Sequence, residues 1–280
     1  MQIAITGASG FIGRRLSARL TAAGHQVQPL GRGYHPAALD GCDAVVHLAG
    51  EPVAQRWSEE VKRRIRESRV MGTRSLAAAL AAKDAGRPRI LVSASAVGLY
   101  GDRGDEVLTE SSSPGQGFLC DVCSEWEREA LAARQSGVRV ALIRIGLVLG
   151  PNGGALEKMV TPFRLGVGGR LGSGRQWMPW IHLDDLCAMF EFALTQPHVD
   201  GPLNGTAPNP ATNADFTRAL AHALHRPAIL PVPRFAIDLL YGEMAQILFA
   251  SQRAMPRAAQ AAGFKFRFED LAQALQAVLT

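Results

Sequence analysis

Over residues 1–150, short continuous apolar runs alternate with longer stretches whose apolar positions recur every three or four residues. The runs are Gln2 to Thr6, Gln26 to Leu30, Asp43 to Gly50, Arg89 to Ser95 and Arg139 to Ile145. Their length and continuity predict strands buried on both faces. The periodic stretches predict helices from Phe11 to Ala23, closed by Gly24, from about Ser58 to Asp84, and from about Leu119 to Gln135, where Gly137 supplies a left-handed stop. Strand and helix in alternation predict an α/β chain with a doubly wound parallel sheet covered by helices. The apolar run from Val138 to Gly150 reads as one buried strand, interrupted by Arg139 and Arg144 and too short to span a bilayer.

After Gly150-Pro151 the texture changes. Gly153, Gly154, Gly166, Gly168, Gly169, Gly172 and Gly174 crowd a segment that also holds Trp177 and Trp180, the composition of a loop able to drape over a ligand. A helix opening near Asp184-Asp185, a strand-like Pro202 to Gly205, a helix capped near Thr212 and a proline-punctuated helical tail from Pro233 to Leu279 complete the chain. The expected division is a dinucleotide-binding domain over 1–150 and a smaller substrate-side region over 151–280, part of 180–205 returning to the sheet.

Composition narrows the classes. A 280-residue chain that is 47% hydrophobic, with 29 Gly and 16 Pro, is neither disordered, collagenous nor a disulfide scaffold. Four cysteines without spaced pairs, and a start that runs straight into an apolar strand, point to reduced thiols in a cytoplasmic protein. The net charge is +5, carried almost wholly by arginine, since the only lysines are Lys62, Lys83, Lys158 and Lys265. The densest basic stretch, Lys62 to Arg66, alternates with Glu59, Glu60 and Glu67 and lacks an aromatic stacking platform, so neither nucleic acid nor membrane is the expected partner.

Thr6-Gly7-Ala8-Ser9-Gly10-Phe11-Ile12-Gly13 places glycines at 7, 10 and 13 directly after a strand and before a helix. A pyrophosphate turn needs one glycine for a left-handed backbone, one for close approach of the main chain and one for helix-strand packing. The helix N-terminus then offers free N–H groups to the anion. Specificity for NAD usually requires an acid at the end of the second strand, yet Gly31-Arg32 stands there. A guanidinium at that point suits a 2'-phosphate, so NADP(H) is the expected cofactor and NAD(H) the alternative.

The glycine loop, together with His47-Leu48-Ala49-Gly50, Gly72-Thr73, Ser93-Ala94-Ser95 and Tyr100-Gly101, resembles the extended short-chain dehydrogenase/reductase superfamily, whose nucleotide half is a Rossmann-type fold. Gly50-Glu51-Pro52, Arg56-Trp57, Ser68-Arg69-Val70-x-Gly72-Thr73, Trp126-Glu127, Pro162 to Gly166, and Gly172 to Gln176 leading into Trp180-Ile181-His182-x-Asp184-Asp185 resemble its "epimerase family protein" branch, described as NAD-dependent nucleotide-sugar epimerases. Arg226-Pro227, Pro231-Val232-Pro233, Gly242-Glu243 and Ala262-Gly263-Phe264-x-Phe266 are similar to that branch's small C-terminal domain. The resemblance implies that Gly7, Ser9, Gly10, Phe11, Ile12 and Gly13 hold the pyrophosphate and Gly31 and Arg32 the adenosine ribose and its phosphate. It places Leu48, Ala49 and Gly50 on the adenosine side and Val148 beside the nicotinamide. Arg69 stands where many members carry asparagine, and Arg64, about one turn earlier, either joins it at an anion or lies on a solvated helix face.

The catalytic pattern departs from the superfamily. Reductases and epimerases use a Tyr-x-x-x-Lys helix in which lysine tunes the phenol for proton transfer. The residues four places after Tyr34, Tyr100 and Tyr241 are Ala38, Gly104 and Ala245. Aligning Glu127 with the glutamate that follows the superfamily lysine puts Cys123 at the lysine and Leu119 at the tyrosine; a shift of one residue gives Val122 and Phe118, and neither register supplies the acid. Ser95 falls on the substrate-binding serine, and Tyr100 is the one tyrosine expected near the cleft, so these two are the catalytic candidates. Cys120 and Cys123 lack the partners of a zinc site and no metal is expected. No Gly-x-Ser-x-Gly elbow supports a hydrolase. His182 reads as a strand-end cleft residue, and Arg170 and Arg175 as contacts for an anionic substrate. The expected function is an NADP(H)-binding oxidoreductase or epimerase-like protein acting on a small molecule, anionic or a sugar nucleotide. The alternative is a catalytically silent NADPH-binding or sensing module.

Overall fold

A computed structural model describes residues 1–81, 86, 88–228 and 230–279. The chain opens with β1 (Gln2–Thr6), α1 (Phe11–Ala22), β2 (Gln26–Leu30), β3 (Ala44–His47), α2 (Glu59–Ala81) and β4 (Ile90–Ala96). The expected end of α2 near Asp84 lies outside the described residues. A 3-10 turn over Val97–Tyr100 leads to β5 (Val107–Leu108), α3 (Phe118–Leu131), β6 (Arg139–Ile145) and β7 (Leu147–Leu149). Next come α4 (Gly154–Arg164), β8 (Trp177–Met178), β9 (Trp180–His182), α5 (Leu183–Thr195) and β10 (Gly201–Gly205). Then follow β11 (Ala211–Thr212), α6 (Asn213–Ala223), α7 (Arg234–Tyr241), α8 (Ala245–Phe249), β12 (Arg253–Ala254), α9 (Arg257–Ala261) and α10 (Leu271–Leu279).

Six strands form one parallel sheet in the order β10-β6-β4-β3-β1-β2. Strands β1, β3, β4 and β6 are buried almost throughout because both faces are covered, whereas the edge strand β2 exposes Gln26 and Pro29; in the central strands the parity of each residue decides which face it serves. Ile3, Ile5, Val46, Val92 and Ile143 pack with Leu16, Leu20, Leu186 and Phe190 of α1 and α5. Their neighbours Ala4, Val45, Leu91, Val140 and Leu142 pack with Leu76, Leu80 and Ala130 of α2 and α3 on the other face. The chain leaves β1 for the outer strand β2 and returns on β1's opposite side as β3. That reversal opens a crevice at the carboxyl ends of β1 and β3.

The run from Val138 to Gly150 is not a single strand. It breaks at Gly146, where a Cβ would sit 2.1 Å from the Pro179 carbonyl oxygen, and β7 leaves the main sheet to pair with β9. The two arginines in that run have separate fates. Arg139 donates to the carbonyls of Ala193 and Leu194 in the last turn of α5, a favourable place for a cation, and to the Val199 carbonyl in the loop beyond it. Arg144 enters the ion pair described below.

The C-terminal stretch is spread over the rest of the molecule. α10 packs on α6 in a core with Phe216, Leu220 and Trp180. Asp185 of α5, 2% exposed, accepts from the backbone N–H groups of Arg267 and Phe268 at 3.0 and 2.9 Å, which satisfies a buried carboxylate. Phe264 reaches the main core and packs edge-on against Phe192. β12 pairs with β5, fixing this stretch beside the 3-10 turn that follows β4.

Candidate active site

The glycine loop lies at the crevice. Gly7 has φ +72°, and a Cβ there would stand 2.9 Å from Ala49 N and the Leu48 carbonyl carbon, so the turn can rest on the end of β3 only as glycine. A Cβ on Gly13 would come 2.2 Å from the Gly7 carbonyl oxygen. Gly10 opens α1 with no side-chain cap and no acid in the first turn, leaving those N–H groups to an anion. Ser9 is exposed on the turn, its carbonyl accepting from Arg14 at 2.7 Å, while Ile12 is half-buried against the core. The Phe11 ring lies under a second loop, within 2.9 Å of the Cβ positions of Gly150, Gly153 and Gly154. The end of β7 is thereby drawn to the loop, with Val148 half-buried in register with Ile181.

Gly31 and Arg32 are exposed at the end of β2. Among the described residues the Arg32 side chain has no hydrogen bond or ion pair, and a free guanidinium at this edge is able to receive a phosphate. Arg64 and Arg69 converge on the segment after β3. The Arg64 Nε is 3.7 Å from the Glu51 carboxylate, and Arg69 Nη1 donates to the Glu51 and Ile65 carbonyls at 3.0 and 3.2 Å. The guanidinium of Arg69 lies 3.1 Å from the Cβ position of Gly50 and 5.2 Å from the Trp126 ring centre. Burial lowers its pKa and no carboxylate bonds it directly, so its charge is felt by His47 and Cys123. His47 is buried between Thr6 Oγ1 at 2.7 Å and Thr73 Oγ1 at 2.9 Å, and burial, aided by Arg69, pushes its pKa down to about 4.

Helix α3 carries Leu119 and Cys123, the positions aligned above with the superfamily tyrosine and lysine. Leu119 and Cys123 face the turn after β4, both close to Gly98. Cys123 is deeply buried, which pushes its thiol up to about 12, and all four cysteines are buried free thiols. Neither position supplies a proton donor.

The two candidate hydroxyls lie in one buried network. Ser95 Oγ donates to Glu127 Oε1 at 2.6 Å. Arg144, opposite Ser95 across the sheet, grips the same carboxylate through Nε and Nη2, both at 2.9 Å. Arg144 Nη1 reaches the Tyr100 hydroxyl at 2.9 Å and the Glu110 carbonyl at 3.0 Å. Tyr100 differs from the expectation of a cleft phenol, for its side chain is fully buried. Its one hydroxyl proton faces Asn204 Oδ1 at 2.7 Å, with the Thr109 carbonyl as a second acceptor at 3.0 Å. Burial raises its pKa against the opposing pull of Arg144, the reverse of what a proton relay needs. Burial also works against the Arg144 charge, yet Glu127 and Tyr100 together raise its pKa. The network's signal in the sequence is Arg144 inside an otherwise apolar strand, a buried charge that needs either a carboxylate, as here, or carbonyls, as at Arg139.

His182 also turns inward: its Nδ1 accepts from Asp184 N at 3.0 Å as the cap of α5, and the ring stacks on Phe268 at 3.9 Å. In the basic stretch each cation faces a carboxylate: Lys62 Glu59 and Glu243, Arg63 Glu60 and Glu67, Arg64 Glu51, and Arg66 Glu125. Among the described residues no three His, Cys, Asp or Glu side chains converge as metal ligands, and no helix is long and apolar enough to cross a membrane.

The family model of the NAD dependent epimerase/dehydratase family matches residues 3–204. The chain belongs to that family. Residues 232–278 of this epimerase/dehydratase-family chain match a second model, a domain of unknown function, DUF1731. Epimerase family protein Mb2239 of Mycobacterium bovis is 44% identical over 291 residues, 98% of this chain and 96% of its own. The chloroplastic SDR39U1 homolog of Arabidopsis thaliana is 42% identical over 302 residues, all of this chain and 87% of its own. The crystal structure of the human epimerase family protein SDR39U1 (isoform 2), determined with NADPH, has a TM-score of 0.93 at 36% identity and covers 100% of this chain and 99% of that one. The family member described here therefore has the Rossmann-type α/β fold of that protein.

Proposed function

We propose that this chain binds NADPH across the glycine loop and acts as an NADP(H)-dependent oxidoreductase or epimerase-like protein on a small molecule held between the sheet's carboxyl edge and the C-terminal stretch. The observation that carries the cofactor reading is the conjunction of an uncapped α1 N-terminus, three glycines whose Cβ positions are filled by backbone or lie at the turn's close approach, and an Arg32 guanidinium without a partner among the described residues. The NADPH held by the human relative supports it. On this reading Gly7 to Gly13 receive the pyrophosphate, Gly31 and Arg32 the ribose phosphate, Leu48 to Gly50 the adenosine side, and Val148 borders the nicotinamide. The bound nicotinamide supplies hydride chemistry.

Arg69 takes the task left by the missing lysine. Its guanidinium reaches from α2 to α3, 5.2 Å from the Trp126 ring centre, and would offer a fixed cation to ribose hydroxyls of the bound cofactor. It holds the cofactor but does not shuttle protons, because a guanidinium stays charged at every relevant pH. Ser95 and Tyr100 serve as internal hydrogen-bonding groups rather than as the proton donor. That engagement favours, as a second reading, a module that retains NADPH without turnover.

Calorimetry with purified protein decides the first point: NADPH binds and NADH binds at least about ten-fold more weakly. Absence of NADPH uptake sinks the proposal. A panel of carbonyl and sugar-nucleotide substrates, followed by NADPH absorbance, then separates the two readings.

A further inference from the structure

We infer that the helix opening the stretch that matches the domain of unknown function is a dimerisation element. Helix α7 and the turn beside it form an apolar face that a second copy of this chain covers, the two α7 helices lying antiparallel about a two-fold axis. None of its residues is assigned to the cofactor, so the inference stands apart from the cofactor reading.

The exposed apolar side chains gather in one place. Leu230, Phe235, Leu239 and Leu240, on and just before α7, and Leu165 and Val167, just after α4, are each 64–76% exposed. They make up six of the ten large apolar side chains that lie exposed among the described residues, so the exposure is a cluster and not a scatter. The two stretches that carry them are stitched together. Val232 N donates to the Arg170 carbonyl at 2.8 Å and Gly172 N to the Val232 carbonyl at 2.9 Å, as Leu171 and Val232 pair in parallel.

Helix α7 is anchored from behind. Ile237 is buried, Arg56 Nη1 donates to the Leu239 carbonyl at 2.9 Å near the helix C-terminus, and Glu243, just past the helix, pairs with Lys62 at 2.9 Å. The helix is thus held in place while Phe235 and Leu239, four residues apart and therefore on one face, stand out from the chain.

Area and charge name the occupant. At those exposures the six side chains offer on the order of 700 Å² of apolar surface, more than the roughly 300–600 Å² of the largest patch on a typical monomer and close to the about 800 Å² that each partner buries in a stable complex. The charges on α7 are self-complementary. Arg234 opens the helix and Asp238 follows one turn later, 3.5 Å apart and both partly exposed. A two-fold axis at the level of Ala236 and Ile237 brings Phe235 against Leu239 of the second copy and Arg234 towards Asp238 of the second copy, and symmetry repeats both contacts. An anionic lipid surface would instead be repelled by the Asp238 carboxylate. The face across α2 and α3 is the poorer candidate, because Arg66 and Arg74 are already paired with Glu125 and Glu129 and, among the described residues, Met71 is its one exposed large apolar side chain.

Sedimentation velocity of the full chain over about 1–100 μM tests this: the parent forms a dimer with a Kd at or below about 10 μM. Phe235→Glu and Leu239→Glu each weaken the dimer by at least about ten-fold while the far-UV circular dichroism spectrum stays that of the parent. Arg234→Asp alone and Asp238→Arg alone also weaken self-association, and mixing these two variants in equal amounts restores a dimer, since each like-charged face then meets its opposite. A parent that stays monomeric to about 100 μM, or parent affinity in both glutamate variants, overturns the inference. A monomeric parent that floats with phosphatidylglycerol vesicles overturns it too and gives the face to lipid, and a mixture that fails to re-form the dimer overturns the antiparallel arrangement.

Discussion

Tyr100→Phe separates a structural from a catalytic phenol. The substitution removes one oxygen and leaves the fully buried ring in place. The one phenolic proton is lost from Asn204 Oδ1 at 2.7 Å, its nearer acceptor ahead of the Thr109 carbonyl at 3.0 Å, and Arg144 Nη1 loses one of its two acceptors. A buried group left unsatisfied costs about 1–3 kcal/mol, and Arg144 keeps the Glu110 carbonyl and both Glu127 oxygens, so the sum is about 2–4 kcal/mol. For a domain of this size that lowers the melting temperature by about 4–10 °C. Circular dichroism melts in parallel with NADPH calorimetry read the result: a lower melting temperature, with NADPH affinity within about two-fold of the parent. A melting temperature shifted by less than about 1 °C, together with loss of NADPH oxidation, would refute the reasoning, because the hydroxyl would then serve chemistry and not the buried network.

Further outcomes follow from neighbouring groups. Arg32→Asp weakens NADPH by about 10–100-fold, the worth of charge-assisted bonds to one phosphate, and changes NADH by less than about three-fold; calorimetry showing equal shifts for both would remove the phosphate assignment. Gly13→Ala forces a methyl to within 2.2 Å of the Gly7 carbonyl oxygen, so the loop must shift and NADPH affinity falls at least about ten-fold; a variant with parent affinity contradicts the close-approach argument. His47, with a folded pKa of about 4, is neutral in the native state while the unfolded chain takes up a proton below about pH 6.5. Stability therefore falls as pH drops through that window, by about 3 kcal/mol near pH 4, and urea unfolding shows this slope reduced in His47→Gln. Glu127→Gln leaves Arg144 charged and buried without its counter-ion and costs about 3–5 kcal/mol; a melt indistinguishable from the parent argues against the ion pair.

The central strands were legible because they are buried on both faces and so carry mainly apolar runs; β6 spans Arg139–Ile145, as its pattern predicts. The glycine loop was legible for a different reason, that the backbone geometry of a phosphate turn leaves no alternative residue at Gly7 and Gly13. What stayed hidden depends on contacts between distant parts of the chain. The break at Gly146 is set by the Pro179 carbonyl, more than thirty residues on, which no local window contains. The two-residue strands β5 and β12 carry no periodicity at all. The Tyr100 phenol was read as a cleft group because its neighbours in sequence belong to the cleft, whereas Arg144 and Asn204, from other strands, turn it inward.

The Asn204 side chain in the last strand of the sheet donates to the Met255 carbonyl, fifty-one residues further on. On the ribosome the glycine loop thus emerges well before the segment around Met255 that completes the edge of the sheet. Early release of a shortened product would leave that edge unsealed, a ready target for proteolysis or for pairing with another nascent chain.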